Sequence, residues 1–329
     1  MSDEKFGLLV YEEGERFFNI GDYIQSLAAK QFLPKVDFYV NRERLSEHKD
    51  KKTKIILNGW FTHKPETWVP SKALDPLFVS LHINSTASQR MLSTEGVAYL
   101  KAHEPIGCRD HYTVRLLESK GIKAYFTGCL TLTLDSYAKN NKSNDGKIYI
   151  VDPLYGFPNK DRIFTNTKSI IKGLITTDIF KTNSANKFMH KIFSQSLLDN
   201  AEYIEQELPA NKYTEDQKFE LAADLLKKYS TAKLVITSRI HCALPCLALG
   251  TPVIYLNGFE SEFDACRMEG LSELFHTVNV NRKTGKILAN FDTQGLIDEN
   301  INLVNKSDYL DLATTLKVIV QKFIDQHDI

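Results

Sequence analysis

The chain has 329 residues, which is more than one domain with a single hydrophobic core usually contains. Of these residues 43% are hydrophobic and 25% are charged, a composition typical of soluble globular proteins. Its 41 basic residues balance its 41 acidic ones, which excludes an overall positive field able to hold nucleic acid. Any anion must therefore be bound by a local group of charges.

The ends of the chain and its cysteines indicate the compartment. Residues 1–5 are charged rather than apolar, and no stretch approaches the roughly 18 apolar residues that span a membrane. Five cysteines are scattered without CxxC pairs, which favours a reduced compartment over disulfides or a zinc site. We expect a cytoplasmic protein without a membrane span, a metal or a cofactor.

The first part of the chain alternates short apolar runs with longer amphipathic stretches. These patterns predict strands at 6–11, 38–40, 54–57 and 77–81 and a helix at 22–32. Residues 105–108 predict another strand, before a helix at 112–119 that Asp110 caps and Gly121 ends, and residues 124–134 predict a further strand. The absence of two-residue hairpin turns favours a parallel, doubly wound sheet with crossover helices.

A polar run at 138–146 predicts the boundary between a first domain, residues 1–140, and a second, residues 147–306. In the second domain the patterns predict strands at 147–151, 202–208, 234–237 and 252–256. They also predict helices at 168–180 and 186–197, a third helix that begins at a capping box formed by Thr214 and Gln217, and a short fourth helix that ends at Gly250. Residues 307–329 predict a C-terminal helix whose apolar stripe packs across both domains. The fold class is therefore α/β with two Rossmann-like domains.

Four turns follow predicted strands and are candidates for the binding site. In open parallel sheets ligands bind beyond the carboxyl ends of the strands, where helix N-termini present unpaired N–H groups. The four turns are Asn19-Ile20-Gly21-Asp22, Asn58-Gly59-Trp60, Arg109-Asp110 and Ser238-Arg239-Ile240-His241.

The last of these turns carries the most information. Arg239 offers a planar fork of donors to a carboxylate or phosphate, and His241 can exchange protons near neutral pH. Pro245 lacks a backbone N–H, so the helix either begins near Cys242 or is kinked, which places His241 in the turn. The alternative is that Arg239 makes a structural ion pair and His241 fills a hydrogen-bonded niche.

The other turns also have structural interpretations. Asp110 can simply cap its helix beside a surface Arg109, and Gly21 before an N-cap Asp22 is ordinary connection chemistry. Packing in the core is an alternative to sugar stacking for Trp60. The chain lacks the GxGxxG, GxxxxGK[ST], GxSxG and HExxH motifs, so nicotinamide chemistry, nucleotide hydrolysis, serine hydrolysis and zinc proteolysis have no support.

Taken together, three blocks resemble the polysaccharide pyruvyl transferase family. They are Asn19-x-Gly21-Asp22, Gly107-Cys-Arg109-Asp110-x-x-Thr113, and Ser238-Arg239-x-His241 followed by Ala248-Leu-Gly250-x-Pro252. The resemblance implies two domains facing a cleft, similar to GT-B glycosyltransferases. It also implies transfer of pyruvate from phosphoenolpyruvate to two hydroxyls of one sugar as a cyclic ketal, in exopolysaccharide or capsule synthesis.

The resemblance also assigns roles by position. It implies that Arg109, Arg239 and His241 are catalytic and bind phosphoenolpyruvate, the donor, together with Ser238, Ile240 and Asp22. Asn19, Gly21, Asn58, Gly59 and Trp60 would line the cleft. The first domain would then face the acceptor and the second the donor.

Two other functions fit the same sequence features. A GT-B glycosyltransferase could hold a nucleotide sugar with the same arginine and histidine, and a non-catalytic glycan-binding relative could keep the fold without the reaction. Residues 127–130 read Thr-Gly-Cys-Leu where many family members have Asp-Pro, so the acceptor sugar stays open. A lipid-linked acceptor would bring the protein to the inner face of the membrane as a peripheral protein.

Overall fold

A computed structural model describes residues 4–11, 17–61, 64–138, 146–164, 167–175, 178–258 and 266–326. It is a mixed α/β structure with two six-stranded sheets. The parallel α/β class predicted from the sequence is confirmed. Most of the predicted linker, residues 139–145, lies outside the described residues.

The first half of the chain forms a fully parallel sheet in the order β3-β1-β4-β5-β6-β7. Its elements are β1 (Lys5–Val10), β2 (Phe17–Asn19), α1 (Ile20–Lys30), β3 (Phe38–Asn41), β4 (Thr53–Phe61), β5 (Leu74–Ile83), α2 (Ser85–Met91), α3 (Thr94–Ala102), β6 (Ile106–Cys108), α4 (His111–Glu118) and β7 (Ala124–Phe126). Asn or Ser side chains cap α1 to α3, and Asp110 caps α4 as predicted. Four crossover helices therefore have the N-terminal signals that a βα sequence needs.

The second half forms a sheet in the order β14-β13-β12-β11-β8-β9, parallel except for β14. Its elements are β8 (Ile148–Val151), α5 (Lys160–Ile163), α6 (Thr167–Ile175), α7 (Ser184–Ile192), α8 (Gln195–Asn200), β9 (Glu202–Ile204), β10 (Glu207–Pro209), α9 (Glu215–Thr231), β11 (Leu234–Thr237), α10 (Ile240–Leu249), β12 (Val253–Asn257), β13 (His276–Val280), β14 (Ile287–Ala289) and α11 (Tyr309–Asp325). The predicted capping box of α9, Thr214 with Gln217, is confirmed.

Between the sheets lies one continuous apolar cluster that contains residues of both. Phe6 and Leu8 enter it from the first sheet, and Tyr149 and Val235 enter it from the second. Separate clusters cover the outer face of each sheet. The strands β2 and β10 also pair antiparallel, so hydrogen bonds as well as apolar packing join the two halves.

The predicted strand at 124–134 is wrong after Phe126. Residues Leu130–Tyr137 form a 3-10 helix in the central cluster, and residues 130–134 are all buried. The Leu and Thr side chains alternate as in a half-exposed strand, but both sets are buried here. Thr133 Oγ1 donates to the carbonyl oxygen of Leu130 at 2.7 Å, a bond that competes with extended pairing.

Three predicted segments in the second half are interrupted. The helix predicted at 186–197 is split into α7 and α8, because Ser194 adopts extended geometry and caps α8. The strand predicted at 202–208 is split into β9 and β10 at Gln206, whose N–H donates to Asp152. The helix predicted at 168–180 ends at Ile175, and a 3-10 helix follows at Asp178–Lys181.

The C-terminal helix α11 returns to the first half of the chain. It buries Ala313, Leu316, Val320 and Ile324 in the central cluster, and Leu312 and Phe323 are partly buried against the same cluster. Lys317 forms an ion pair with Asp135. Among the described residues, no helix combines the length and apolar character needed to cross a membrane.

Candidate active site

The strand β11 ends in a turn that is fixed by hydrogen bonds. Thr237 Oγ1 donates to the carbonyl oxygen of Val151 and accepts from the N–H of Arg239, both at 2.9 Å. Ser238 Oγ donates to the carbonyl oxygen of Leu256 at 2.7 Å and accepts from the N–H of Leu154 at 2.8 Å. Ser238 therefore ties three backbone segments together at the edge of the sheet.

His241 occupies a kink at the start of α10. Its φ and ψ of −84° and 18° interrupt the helix one residue after Ile240, and Pro245 lies inside the remainder. The kinked alternative predicted from Pro245 is confirmed. This bend turns His241 out of the regular hydrogen-bonding pattern of the helix.

Arg239 is held on both sides by carboxylates. Its Nε donates to Asp152 Oδ2 at 2.7 Å, and its Nη2 lies 3.2 Å from Glu207 Oε1. The guanidinium also stacks on the ring of Tyr155, 4.0 Å from its centroid. The structural ion pair considered for Arg239 is thus present, and it fixes the orientation of the fork.

Arg109 follows β6 and has a different environment. It is 2% exposed, so the surface position considered for it is wrong. Its Nε makes no hydrogen bond within the described structure and lies 3.9 Å from Asp110 Oδ2. Burial lowers the pKa of this guanidinium, against the opposing charge of Asp110.

Asp110 is engaged away from Arg109. Its carboxylate accepts from the backbone N–H and the hydroxyl of Thr113 at 2.9 and 2.8 Å, as the capping interpretation predicts. It also lies 2.6 Å from Nδ1 of His82, which is fully buried. Sequence analysis missed His82, although it lies at the carboxyl end of a predicted strand.

The charges of four arginines converge on His241. Burial lowers its pKa well below the usual range, and the guanidinium groups of Arg109, Arg267, Arg239 and Arg42 lower it further. Its Nε2 is buried and has no hydrogen-bond partner in the described structure. At neutral pH the imidazole is therefore uncharged.

Two further arginines near the site, Arg42 and Arg267, were not predicted from the sequence. Arg42 lies over the ring of Tyr11 at 4.5 Å, with its Nε 2.9 Å from Glu43, and it follows β3 as the other site residues follow their strands. Arg267 lies in the 3-10 helix Cys266–Met268 and donates to the hydroxyl of Tyr155. Arg267 precedes no motif, so only the three-dimensional structure relates it to the site.

The N-terminus of α1 reaches His241 through Gly21. A Cβ at Gly21 would lie 3.1 Å from Cβ of His241 and 3.2 Å from Oε1 of Gln206, so an added methyl would press on both side chains. Asn19, rather than Asp22, caps this helix by accepting from the N–H of Gly21 at 2.9 Å. The helix therefore begins two residues earlier than predicted.

Asp22 connects α1 to the second candidate turn, Asn58-Gly59-Trp60. Its carboxylate accepts from Gln25 Nε2 at 2.9 Å, and the carbonyl oxygen of Gln25 accepts from Asn58 Nδ2 at 3.1 Å. Residues 58–60 are not in a turn, because β4 continues through them to Phe61 with a bulge before Gly59. Gly59 has φ of 117°, and a Cβ there would lie 2.6 Å from Gln25 Oε1.

The family of this chain follows from a comparison with known proteins. A family model for polysaccharide pyruvyl transferase matches residues 19–258. The chain belongs to that family. This pyruvyl transferase family member is accordingly a transferase of polysaccharide biosynthesis, with a polysaccharide as the acceptor class. No curated protein and no solved structure matches it.

The matched span of this family member contains every site residue predicted from the sequence, whereas Arg267 lies beyond it. A non-catalytic relative would have Arg109, Arg239 and His241 paired off in ion bridges, away from any cleft. Arg239 forms such ion bridges, but Arg109 and His241 do not meet this description. The described part of the chain contains no group of three or more His, Cys, Asp or Glu side chains that could hold a metal.

Proposed function

We propose that this protein transfers the pyruvyl group of phosphoenolpyruvate to two hydroxyls of one sugar and forms a cyclic ketal. The observation that carries the proposal is an uncharged His241 whose pKa is lowered by burial and by the positive charge of four guanidinium groups. Phosphoenolpyruvate carries both a carboxylate and a phosphate, so it would compensate this charge. Membership of the family supports the same reaction.

Arg109 and Arg239 would bind the donor in different ways. Arg109 has no close ion pair, so its fork is available to an incoming carboxylate or phosphate. Arg239 is oriented by Asp152 and Tyr155, and it would supply a fixed direction more than additional charge. The backbone of Ile240 and the carboxylate of Asp22 are further proposed contacts, and Arg267 joins them from outside the matched span.

Donor binding would switch the protonation state of His241. In the free protein, burial and four cations keep the imidazole neutral, so it cannot serve as an acid near neutral pH. The negative charges of phosphoenolpyruvate would offset these cations and raise the pKa of His241. The proton taken up would then be available for catalysis, which couples the general acid to the bound donor.

The reaction forms one C–H bond and two C–O bonds, and it breaks the C=C π bond and the C–O bond to phosphate. His241 donates a proton to the methylene carbon of phosphoenolpyruvate as the first sugar hydroxyl attacks the central carbon, and the proton of that hydroxyl passes to solvent. Phosphate then leaves with the C–O bonding electrons, and the second hydroxyl closes the ketal and releases a second proton to the departing phosphate or to solvent. The products are the methyl-bearing pyruvyl ketal and inorganic phosphate.

We further propose that the two sheets correspond to two Rossmann-like domains of the GT-B type. The first would span 1–140, the second 147–306, and residues 307–329 would follow as the C-terminal helix. The acceptor would enter beside Asn58, Gly59 and Trp60, and the donor would bind beside Arg239. Closure of the site would exclude water from the cationic intermediate.

The reaction can be tested by mass spectrometry of a panel of sugars and oligosaccharides incubated with the protein and phosphoenolpyruvate. We expect a mass gain of one pyruvyl ketal together with release of inorganic phosphate. Arg239→Gln should lose this product, whereas Arg282→Gln should keep it. Arg282 is a matched control because it also pairs with an aspartate, Asp178, and lies over an aromatic ring.

Ligand-induced thermal shift separates this function from the rival transferase. Phosphoenolpyruvate should raise the melting temperature of a pyruvyl transferase, because a ligand that binds only the folded state stabilises it. UDP and other nucleotide diphosphates should have no such effect. Stabilisation by UDP without any response to phosphoenolpyruvate would instead assign the site to a nucleotide sugar.

A further inference from the structure

The connection that leaves the donor side of the candidate site leads directly into an exposed apolar surface. Asp152 and Tyr155, which contact Arg239, follow β8, and α5 begins at Lys160. The helices α5 and α6 and the 3-10 helix Asp178–Lys181 pack against one another. They form a small helical layer that follows this connection in the chain.

This layer exposes more apolar side chains than its length would predict. Five of the thirteen exposed large apolar residues in the described chain fall between positions 164 and 180. They are Phe164, Ile171, Leu174, Ile175 and Phe180, and we call them the apolar patch. Ile175 and Phe180 are 79% and 82% exposed, so they contribute almost nothing to the core of the protein. Scattered apolar residues are normal on surfaces, but a concentration of this kind marks an interaction site.

Three members of the apolar patch recur at helical spacing. Ile171, Leu174 and Ile175 lie on α6 at positions i, i+3 and i+4, which places them on one face of that helix. This face is exposed, whereas an amphipathic helix in a monomeric core turns its apolar face inward. This pattern is typical of a helix whose apolar face contacts an apolar surface outside the protein.

The charge of the segment that contains the apolar patch indicates which kind of surface this is. Residues 160–191 contain seven lysines and arginines and two aspartates, a net charge of +5 in a chain that is neutral overall. One of the aspartates, Asp178, is already paired with Arg282 at 3.0 Å. Lys160, Lys181, Lys187 and Lys191 are exposed. A surface that combines exposed apolar side chains with positive charge is complementary to an anionic bilayer.

We propose that the apolar patch docks this protein on an anionic lipid surface. A second copy of the chain fits less well, because a symmetric contact would oppose two segments of the same positive charge. Docking would hold the donor side of the candidate site beside the bilayer. The docking itself does not depend on the proposed function, although with that function it would favour an acceptor attached to lipid.

The test is co-sedimentation of the full chain with vesicles of phosphatidylglycerol and phosphatidylcholine in equal parts. We expect binding to these vesicles but little binding to pure phosphatidylcholine. The double variant Ile175→Ser and Phe180→Ser should lower the partition coefficient by about tenfold or more, since two exposed apolar anchors are removed. The matched control is Leu310→Ser with Val318→Ser, on α11, where both side chains are also more than half exposed.

Charge variants provide a second, independent measurement. Lys181→Gln with Lys187→Gln should weaken binding to anionic vesicles by about tenfold, since each basic residue near such a surface strengthens attraction. Lys227→Gln with Lys228→Gln, exposed on α9, removes the same charge elsewhere and should leave binding unchanged. Raising the ionic strength from about 0.1 to about 1 M should also weaken binding, because the Debye length falls from about 10 to 3 Å.

Three outcomes would overturn docking on lipid. The first is that the Ile175 and Phe180 double variant binds vesicles as well as the wild type does. The second is that the wild type does not bind vesicles. The third is that the wild type sediments as a dimer and this variant sediments as a monomer. The last outcome would assign the apolar patch to a second copy. Thermal shifts with phosphoenolpyruvate should be the same in all these variants, so a failure of the proposed function would be recognised separately.

Discussion

Arg109 and Arg239 occupy comparable positions in the two sheets but have opposite surroundings. Each follows a parallel strand and immediately precedes a helix or its cap. Arg239 is bound by two carboxylates and stacked on a tyrosine, whereas Arg109 is buried without a close ion pair. Arginines at equivalent positions of two sheets can therefore differ in role: Arg239 is mainly held in a fixed orientation, whereas Arg109 mainly contributes positive charge.

The largest expected effect concerns His241, on which both arginines act. Replacing His241 by Ala should lower the turnover of ketal formation by about 10² to 10⁴, as expected for loss of a general acid. Steady-state release of phosphate measures the effect, with His190→Ala, exposed on α7, as the control. Turnover near the wild-type value would exclude His241 as the acid and leave the two arginines as electrostatic contacts only.

Arg109→Gln should separate catalysis from stability. We expect kcat/KM for phosphoenolpyruvate to fall by about 10² to 10³, since a preorganised charge at the reacting groups is removed. The melting temperature should stay constant or rise, because a buried charge without a close partner costs free energy. A clear loss of stability would mean that Arg109 has a compensating partner and resembles Arg239 after all.

Arg239→Gln should show the opposite balance. It leaves the Asp152 carboxylate without its ion pair, which should lower the free energy of unfolding by about 3 to 5 kcal/mol. Denaturant unfolding of the single variants and of Arg239→Gln with Asp152→Asn gives the coupling energy between the two side chains. We expect about 1 to 3 kcal/mol for this pair and less for Arg109 with Asp110.

Proton uptake provides a smaller but more specific test. Because the pKa of His241 is lowered in the free protein, the imidazole is neutral there, and donor anions should raise its pKa. Binding should therefore take up part of one proton between the two pKa values, and donor affinity should fall as pH rises through that window. Calorimetry in buffers with different ionisation enthalpies measures the uptake, and His241→Ala accounts for protons exchanged by phosphoenolpyruvate itself. Equal uptake in both proteins would contradict the coupling.

The smallest expected effect is at Gly21. Its added Cβ in Gly21→Ala would press on His241 and Gln206, which should cost about 1 to 3 kcal/mol through overpacking. Displacement of His241 should also lower turnover, by less than its replacement does. Gly146→Ala is a poor control because of its positive φ, so Ala138→Ser, a half-exposed position outside the site, serves instead. An unchanged turnover would show that His241 tolerates a shift of α1.

The sequence predicted the fold where local patterns were strong. The capping box at Thr214 and the kink caused by Pro245 depend on neighbouring residues, and both predictions are confirmed. The segment 130–134 was predicted wrongly because its alternation resembles a strand, although the central core buries both of its faces. Burial of both faces depends on tertiary packing, which the spacing of apolar residues along the chain does not reveal.

The candidate site, like the fold, was predictable only where its residues lie in local sequence patterns. Arg109, Arg239 and His241 stood out because they follow strands in recognisable blocks, although their roles stay predictions. Arg267 could not be found, because it belongs to no motif and lies far in sequence from Tyr155 and His241, on which it acts. The carboxylates of Asp152 and Glu207 were missed for the same reason, since their pairing with Arg239 joins residues far apart in sequence.

The continuous cluster between the sheets has a consequence for how the molecule melts. Phe6 and Leu8 share their apolar neighbourhood with Tyr149 and Val235, so neither sheet can be exposed without uncovering the inner face of the other. A calorimetric scan should therefore contain a single endotherm whose van't Hoff and calorimetric enthalpies agree. We therefore expect any relative motion of the two sheets to be a small sliding of packed helices, because wide opening would disrupt the shared core.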